Sequence, residues 1–442
     1  MAAINTSAVS DWLMRRYSQK RFFKPYQNDL MPTYEDIDQQ CPDEAPDGSG
    51  WFVPLYIASS QNWRAGAEGG VTSDVAASTE TQGSVNAQEF KGTVQLTEFL
   101  KRAGSARGHF NGGALAHQMD MLTTDVMKGC QRFIVVGHGT GRLAVVDAAT
   151  VATNSFVCRL PLAHLVLAIN MRIDFVDTDT GGTVQGTANH KITAIDRTTR
   201  GITGGGAFNT FAGTVTFDGV AESLTAGWGV YRSGDYGGNI INGIRGLVQN
   251  GDVSTSFLGK TYASFPGLKA QVLSNSGTPR PLTESLMRQM ADEIYHAGGE
   301  IEDIRCNTGV MNAVGALQTG DKRYSIVRGE FPKYITGWRE GDLLFAYDKA
   351  TAVIKKDPNI PARELYFLCL KDSFYKHTLA DFQFMGGGKD GVLHLTPNAT
   401  TPGGGFETSW TAVIYAALNI SNYYPPKNGV IRDLEDATLA GD

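Results

Sequence analysis

Cysteine is scarce and scattered: Cys41, Cys130, Cys158, Cys306 and Cys369 make five in 442 residues, with no CxxC pair. That excludes a disulfide framework and a cysteine zinc site, and it fits a reducing cytoplasm. A basic excess is missing too. Lysine and arginine total 39 against 45 acidic residues, a net charge of −6. The chain is therefore not built to coat nucleic acid over its whole surface, and any DNA contact must be local and weak. No apolar run reaches the roughly 18 residues that a membrane span needs. The opening MAAINTSAVSDWLMRRYSQKRFFK holds no signal-peptide core, which points to a protein made and used in the cytosol.

Catalytic motifs are absent in the same way. There is no GxxxxGK[ST], no HExxH and no GxSxG. Two near-motifs fail on spacing. GHGTG at 137–141 follows an apolar run, as a dinucleotide-binding turn does, but its third glycine falls one residue early and no acidic strand end comes after it. It reads as a glycine turn that stops a helix. DTDTGG at 177–182 opens like a calcium loop, but the twelfth place, where a bidentate Glu is required, is Ala188. It reads as a hairpin turn. These absences predict no enzyme activity, no cofactor and no metal.

What is present is apolar bulk and glycine. At 42% hydrophobic content the chain can bury a large core, divided into two or three compact units. The 52 glycines cluster between short β-like runs and indicate many turns. Residues 1–50 read as an extended arm, with a short helix around 10–20 and Pro25, Pro32, Pro42 and Pro46 interrupting the rest of it. The arm is first basic (Arg15, Arg16, Lys20, Arg21, Lys24) and then acidic. Its RRYSQKRFFK mixes bases with aromatics, so it fits either a solvated, docked arm or a DNA contact. Residues 51–64 and 88–99 are strand-like and together suggest a two-stranded flap. Its tip, 65–85, has no aromatic residue and no lysine.

Leu115, Met119, Leu122, Val126, Cys130 and Phe133 form one stripe at helical spacing, predicting a long helix over 112–133. Residues 155–235 alternate in short runs broken by glycine turns, which predicts an all-β module. Thr283 is the expected N-cap of a helix carrying Leu286, Met290 and Ile294 on one face, with His296 near its C-terminal dipole. Gly298 and Gly299 close it. A strand at 300–306, a helix at 308–317 and mixed closing strands complete the pattern.

This order of parts resembles the Hong Kong 97-type fold of tailed-bacteriophage major capsid proteins. NGGALAHQMDMLTTDVMKGCQRFIVVGHGTGRLAVV is similar to that family's spine helix and its glycine turn, PLTESLMRQMADEIYHAGGEIEDIRCNTGVMNAV to its A-domain, and NYYPPKNGVIRDL to its closing P-domain strand. The resemblance implies an α+β subunit: N-terminal arm 1–50, E-loop 51–100, P-domain with spine helix 101–154, β-rich inserted domain 155–240, A-domain with P-domain strands 241–380, and closing P-domain strands 381–442. It implies hexamers and pentamers of the chain itself in an icosahedral shell, assembled in the host cytoplasm around weakly contacted double-stranded DNA. A portal protein, a separate scaffolding protein and decoration proteins are the other implied partners, with no membrane. Arg15, Arg16, Lys20, Arg21 and Lys24 become candidate inter-subunit or DNA contacts, and Trp63, Arg64 and Glu68 candidate E-loop contacts. Some relatives crosslink through an E-loop lysine. Here the tip has none, and Lys91 lies on the returning strand, so an uncrosslinked wall is expected. The alternative reading is a β-rich binding module, for example a carbohydrate-binding surface protein.

Overall fold

The computed structural model describes residues 31–37, 50–58, 78–97, 113–137, 142–146, 150–157, 167–177, 183–196, 214–236, 241–319, 344–347, 350–361, 363–385, 393–397 and 406–435. The architecture is mixed α and β. A one-turn helix, Pro32–Glu35, comes first, followed by β1 (Gly50–Ala58), β2 (Thr79–Asn86), β3 (Gln88–Thr97) and the long helix Gly113–Val136. The β-rich stretch holds β4 (Arg142–Val145), β5 (Thr150–Thr153), β6 (Ser155–Val157), β7 (Arg172–Val176), β8 (Val184–Asp196), β9 (Thr214–Phe217), β10 (Glu222–Leu224) and β11 (Gly229–Arg232). A short helix, Ile244–Leu247, precedes β12 (Ser256–Phe257), β13 (Lys260–Thr261) and β14 (Gln271–Leu273). Helices Glu284–His296 and Thr308–Thr319 flank β15 (Asp303–Cys306). Then come β16 (Leu344–Tyr347), β17 (Ala350–Lys356), β18 (Leu365–Leu368), β19 (Phe374–Phe384), β20 (Leu393–Pro397), β21 (Phe406–Asn422) and β22 (Gly429–Ile431).

The chain divides into two compact units, a smaller one from segments 1–35, 87–131 and 378–419 and a larger one from 36–86, 132–377 and 420–442. In the smaller unit β21 pairs with β3, from Ser409 opposite Thr97 to Leu418 opposite Gln88, and also with β19 and β20. Val94 and Ala412 are buried beneath Met119 and Leu122 of the long helix. The helix lies so close to β3 that a Cβ on Gly92 would sit 2.6 Å from Val126 Cγ2. The apolar stripe thus has the strand backbone for a partner. The helix runs to Val136, three residues past the expected 133, because Ile134, Val135 and Val136 are themselves buried.

The core of the larger unit is a six-stranded sheet in the order β14-β22-β18-β15-β17-β16. Met287, Met290 and Ile294 of one helix and Val310 and Val314 of the next cluster with Ile304, Ile354, Leu365, Phe367 and Ile431. Helix Glu284–His296 begins as expected, with Leu286 N donating to Thr283 Oγ1 at 3.2 Å. Such a cap is worth about 1 kcal/mol. It ends where Gly298, at φ +79°, lets its own N–H and that of Gly299 reach the Tyr295 and Ile294 carbonyls.

A second six-stranded sheet, in the order β4-β11-β7-β8-β9-β6, shares no strand with the first. Phe156, Phe175 and Phe217 pack together inside it. It takes in β4, upstream of the expected 155–240 range, because β11 needs a partner on each edge: Val230 lies opposite both Ala144 and Phe175. β7 and β8 form the hairpin expected around DTDTGG, and Asp177 accepts from Thr183 N and Gln185 Nε2 at its start.

One expectation is corrected. The flap is not 51–64 paired with 88–99. β1 pairs instead with β2, most of which falls within the expected tip 65–85, while β3 joins β21. Within the arm, Met31, Thr33 and Ile37 are buried. Within the closing range 381–442, β22 lies between β14 and β18 in the core sheet.

Candidate assembly surface

The β1–β2 hairpin has two unlike faces. Strand alternation turns Trp51, Val53 and Leu55 inward and Phe52, Pro54 and Tyr56 outward. The inward face is seated on its own unit. Trp51 packs against His377 with ring centroids 5.0 Å apart, and Gly83 leaves room for Leu258, to which an added Cβ would come within 2.9 Å. Ile57 O lies where a Cβ of Gly267 would fall, 2.7 Å away. The outward face is different. Phe52 is 50% exposed and Tyr56 41%, opposite the polar Ser84 and Glu80 of β2. An apolar row on a rigid, well-seated hairpin is a surface that gains from being covered.

An exposed aromatic also lies on the core-sheet side. Tyr295, 59% exposed at the end of its helix, meets Tyr347 edge-on at 6.4 Å, and Tyr347 donates to Asp292. In the smaller unit Lys91 is exposed, pairs with Glu89 and has its ammonium 5.8 Å from the Tyr415 ring. The Glu89 hydrogen bond holds the Lys91 ammonium above its ordinary pKa, so this amine is charged and engaged.

Beneath the surface, two charged side chains on β15 face away from the apolar core. Asp303 and Arg305 alternate with Ile304 and Cys306, and Lys355 lies opposite Arg305 on β17. Arg305 donates to Asp303 at 2.6 Å and to Asp36; Lys355 donates to Asp36 at 2.8 Å. Burial works against the Asp36 carboxylate, but Lys355 and Arg305 outweigh it and hold its pKa low.

Arg15, Arg16, Lys20, Arg21, Lys24, Trp63, Arg64 and Glu68 lie outside the described residues. Phe52 and Tyr56 were missed, although WFVPLYIA, apolar at nearly every position, is the signal of a strand with two faces to cover. Among the described residues no group of His, Cys, Asp and Glu could hold a metal ion, and no helix is long and apolar enough to cross a membrane.

No protein-family model matches the sequence, and no curated protein matches it. Solved structures do. The chain is similar to the cyanophage A-1(L) capsid asymmetric unit at a TM-score of 0.56 and 10% identity, over 98% of this chain and 99% of that one. The capsid of a native GTA particle (TM-score 0.47, 8% identity, 98% and 100% covered) and the SrpI encapsulin of Synechococcus elongatus PCC 7942 (0.41, 8%, 99% and 98%) are more distant. The fold assignment rests on the first of these. In its described residues the chain has the Hong Kong 97-type fold of tailed-phage capsid subunits.

Proposed function

We propose that this chain is the major capsid protein of a tailed bacteriophage, forming hexameric and pentameric capsomers that close into an icosahedral shell around DNA. The observation that carries this reading is the match to a capsid asymmetric unit over nearly all of both chains. The exposed row Phe52, Pro54 and Tyr56 supports it, because covering the exposed half of Phe52 and of Tyr56 on a neighbour would add roughly 1 kcal/mol per side chain. Small gains of this kind, repeated by every subunit of a closed shell, give a stable wall. In this reading 155–240 is an inserted domain, the basic arm residues contact a neighbour or DNA, and portal, scaffolding and decoration proteins are the other partners. A β-rich binding module would account for the second sheet but leave the long helix and the core sheet without a role. Electron microscopy of the purified chain, alone and with its phage's scaffolding protein, is expected to show capsomers or shells. A strict monomer under both conditions would remove this reading.

The wall should hold without covalent crosslinks. The stretch 65–85 offers Glu68, Asp74 and Glu80 but no amine, and Lys91 is already paired with Glu89. Boiled particles on a denaturing gel, with and without reductant, should give one band near 47.6 kDa. A ladder surviving both treatments would show that a lysine is used after all.

A further inference from the structure

The hairpin's seat contains a titratable group. His377, on β19, is fully buried between Trp51 of β1 and Ser421 of β21. Its Nε2 lies 2.6 Å from Ser421 Oγ, and its Nδ1 has no hydrogen-bond partner among the described residues. The described groups that face it are uncharged. Trp51 packs against it at a tilt from β1, and β1 carries no ionisable residue except the outward Tyr56. On β21 the neighbours are Ser421 and Asn422, whose amide donates to Leu247 O. On β19 itself the flanking Lys376 and Thr378 point to the opposite side of the strand, as alternation requires. Lys371 and Asp372, in the preceding turn, are exposed.

We propose that His377 is an acid-operated latch for the β1–β2 hairpin: a neutral ring seats Trp51, and protonation unseats it. A protonated ring carries an N–H on both nitrogens. One can be met by Ser421, but the Nδ1 proton would be buried with no acceptor and no counter-charge. The Trp51 ring face would return part of that cost, and its 55° tilt limits how much. Burial alone lowers the His377 pKa from the ordinary 6.5 to about 4, so the charged ring is disfavoured about 300-fold in the seat. The released chain takes up a proton below about 6.5 and the seated one only near 4. The latch is therefore at full strength above 6.5 and weakens as pH falls between the two. The way to relieve the charge is to open the seat, and the least costly motion lifts the two-stranded hairpin rather than breaking the four-stranded sheet that holds β19 and β21.

Hydrogen exchange of the purified chain, corrected for intrinsic rates, tests this between pH 7.5 and 4.5. Amides of β1 and β2 are expected to exchange at least tenfold faster at 4.5, with β15 and β18 unchanged. In His377→Gln, which keeps a neutral polar group beside Ser421, the hairpin's rate should be independent of pH. Flat exchange in the unmutated chain, or an acid rise that persists in the variant, overturns the latch. Should His377→Gln fail to fold, the unmutated chain still decides, since hairpin and core opening together at one pH is global unfolding and equally overturns it.

Discussion

Alanine at Gly243 is expected to destabilise the chain by about 3 kcal/mol or more, a large share of the roughly 5–15 kcal/mol that holds a domain together. Gly243 sits at φ −82° and ψ 172°, which any residue adopts, so backbone strain plays no part. Space is the cause. Its added Cβ would lie 2.4 Å from Phe133 O and 2.6 Å from both N and O of Gly137. All are backbone atoms at the end of the long helix, and none can rotate away. Separating the two segments would lengthen the bonds from Gly243 N and Gly246 N to Gly137 O, now 3.0 and 3.1 Å, each worth about 1 kcal/mol. Gly227→Ala is the comparison. Gly227 has open space around it but a φ of +93°, so strain alone should cost about 1–2 kcal/mol. Denaturant midpoints should rank Gly243→Ala well below Gly227→Ala; equal values would mean that the close approach is not real.

Arg305→Met is expected to cost about 3–5 kcal/mol at neutral pH, the penalty for stripping a buried ion pair of one partner. Asp303, buried on β15, would lose its 2.6 Å donor, leaving Lys355 as the remaining cation for two carboxylates. Adding Asp303→Asn should recover part of the loss, because the stranded charge and not the missing attraction is the larger cost. The pH dependence has a definite sign. Asp36 is held below its ordinary carboxylate pKa, so its contribution is present above about pH 4 and is lost as pH falls through the lowered value. The deficit of Arg305→Met should therefore narrow in acid, below the window in which His377 acts. A deficit constant from pH 7 to 3 would mean that packing, not charge, is what Arg305 supplies.

Local signals in the sequence were enough for the two principal helices. The stripe through Met119, Leu122 and Val126 and the Thr283 cap with its closing glycines depend on neighbours a few residues away. The hairpin was less legible. Thr79–Asn86 offers Val85 as its one large apolar residue, and its inward position at Gly83 is filled from outside the strand by Leu258. No local pattern encodes a side chain supplied by another segment. Alternation along β15 would put Asp303 and Arg305 in solvent, yet both are buried, because Asp36 and Lys355 come from far away in sequence to meet them. The seat of Trp51 on His377 is equally non-local. Of the candidate site, the apolar richness of WFVPLYIA was visible, and which half of it would remain uncovered was not.

The place of β22 has a consequence for synthesis. Among the described residues β14 is joined to the core sheet only through β22, and β22 is made long after every other described strand of that sheet. A nascent chain can therefore build the β15, β17 and β18 ladders but cannot lock β14 onto them, and Met290 and Ile294 lack the Gly429 backbone that presses against them. Pairings this remote in sequence form late and slowly. A chain still being translated is thus held short of its finished fold until Gly429–Ile431 has been made and can slide between β14 and β18.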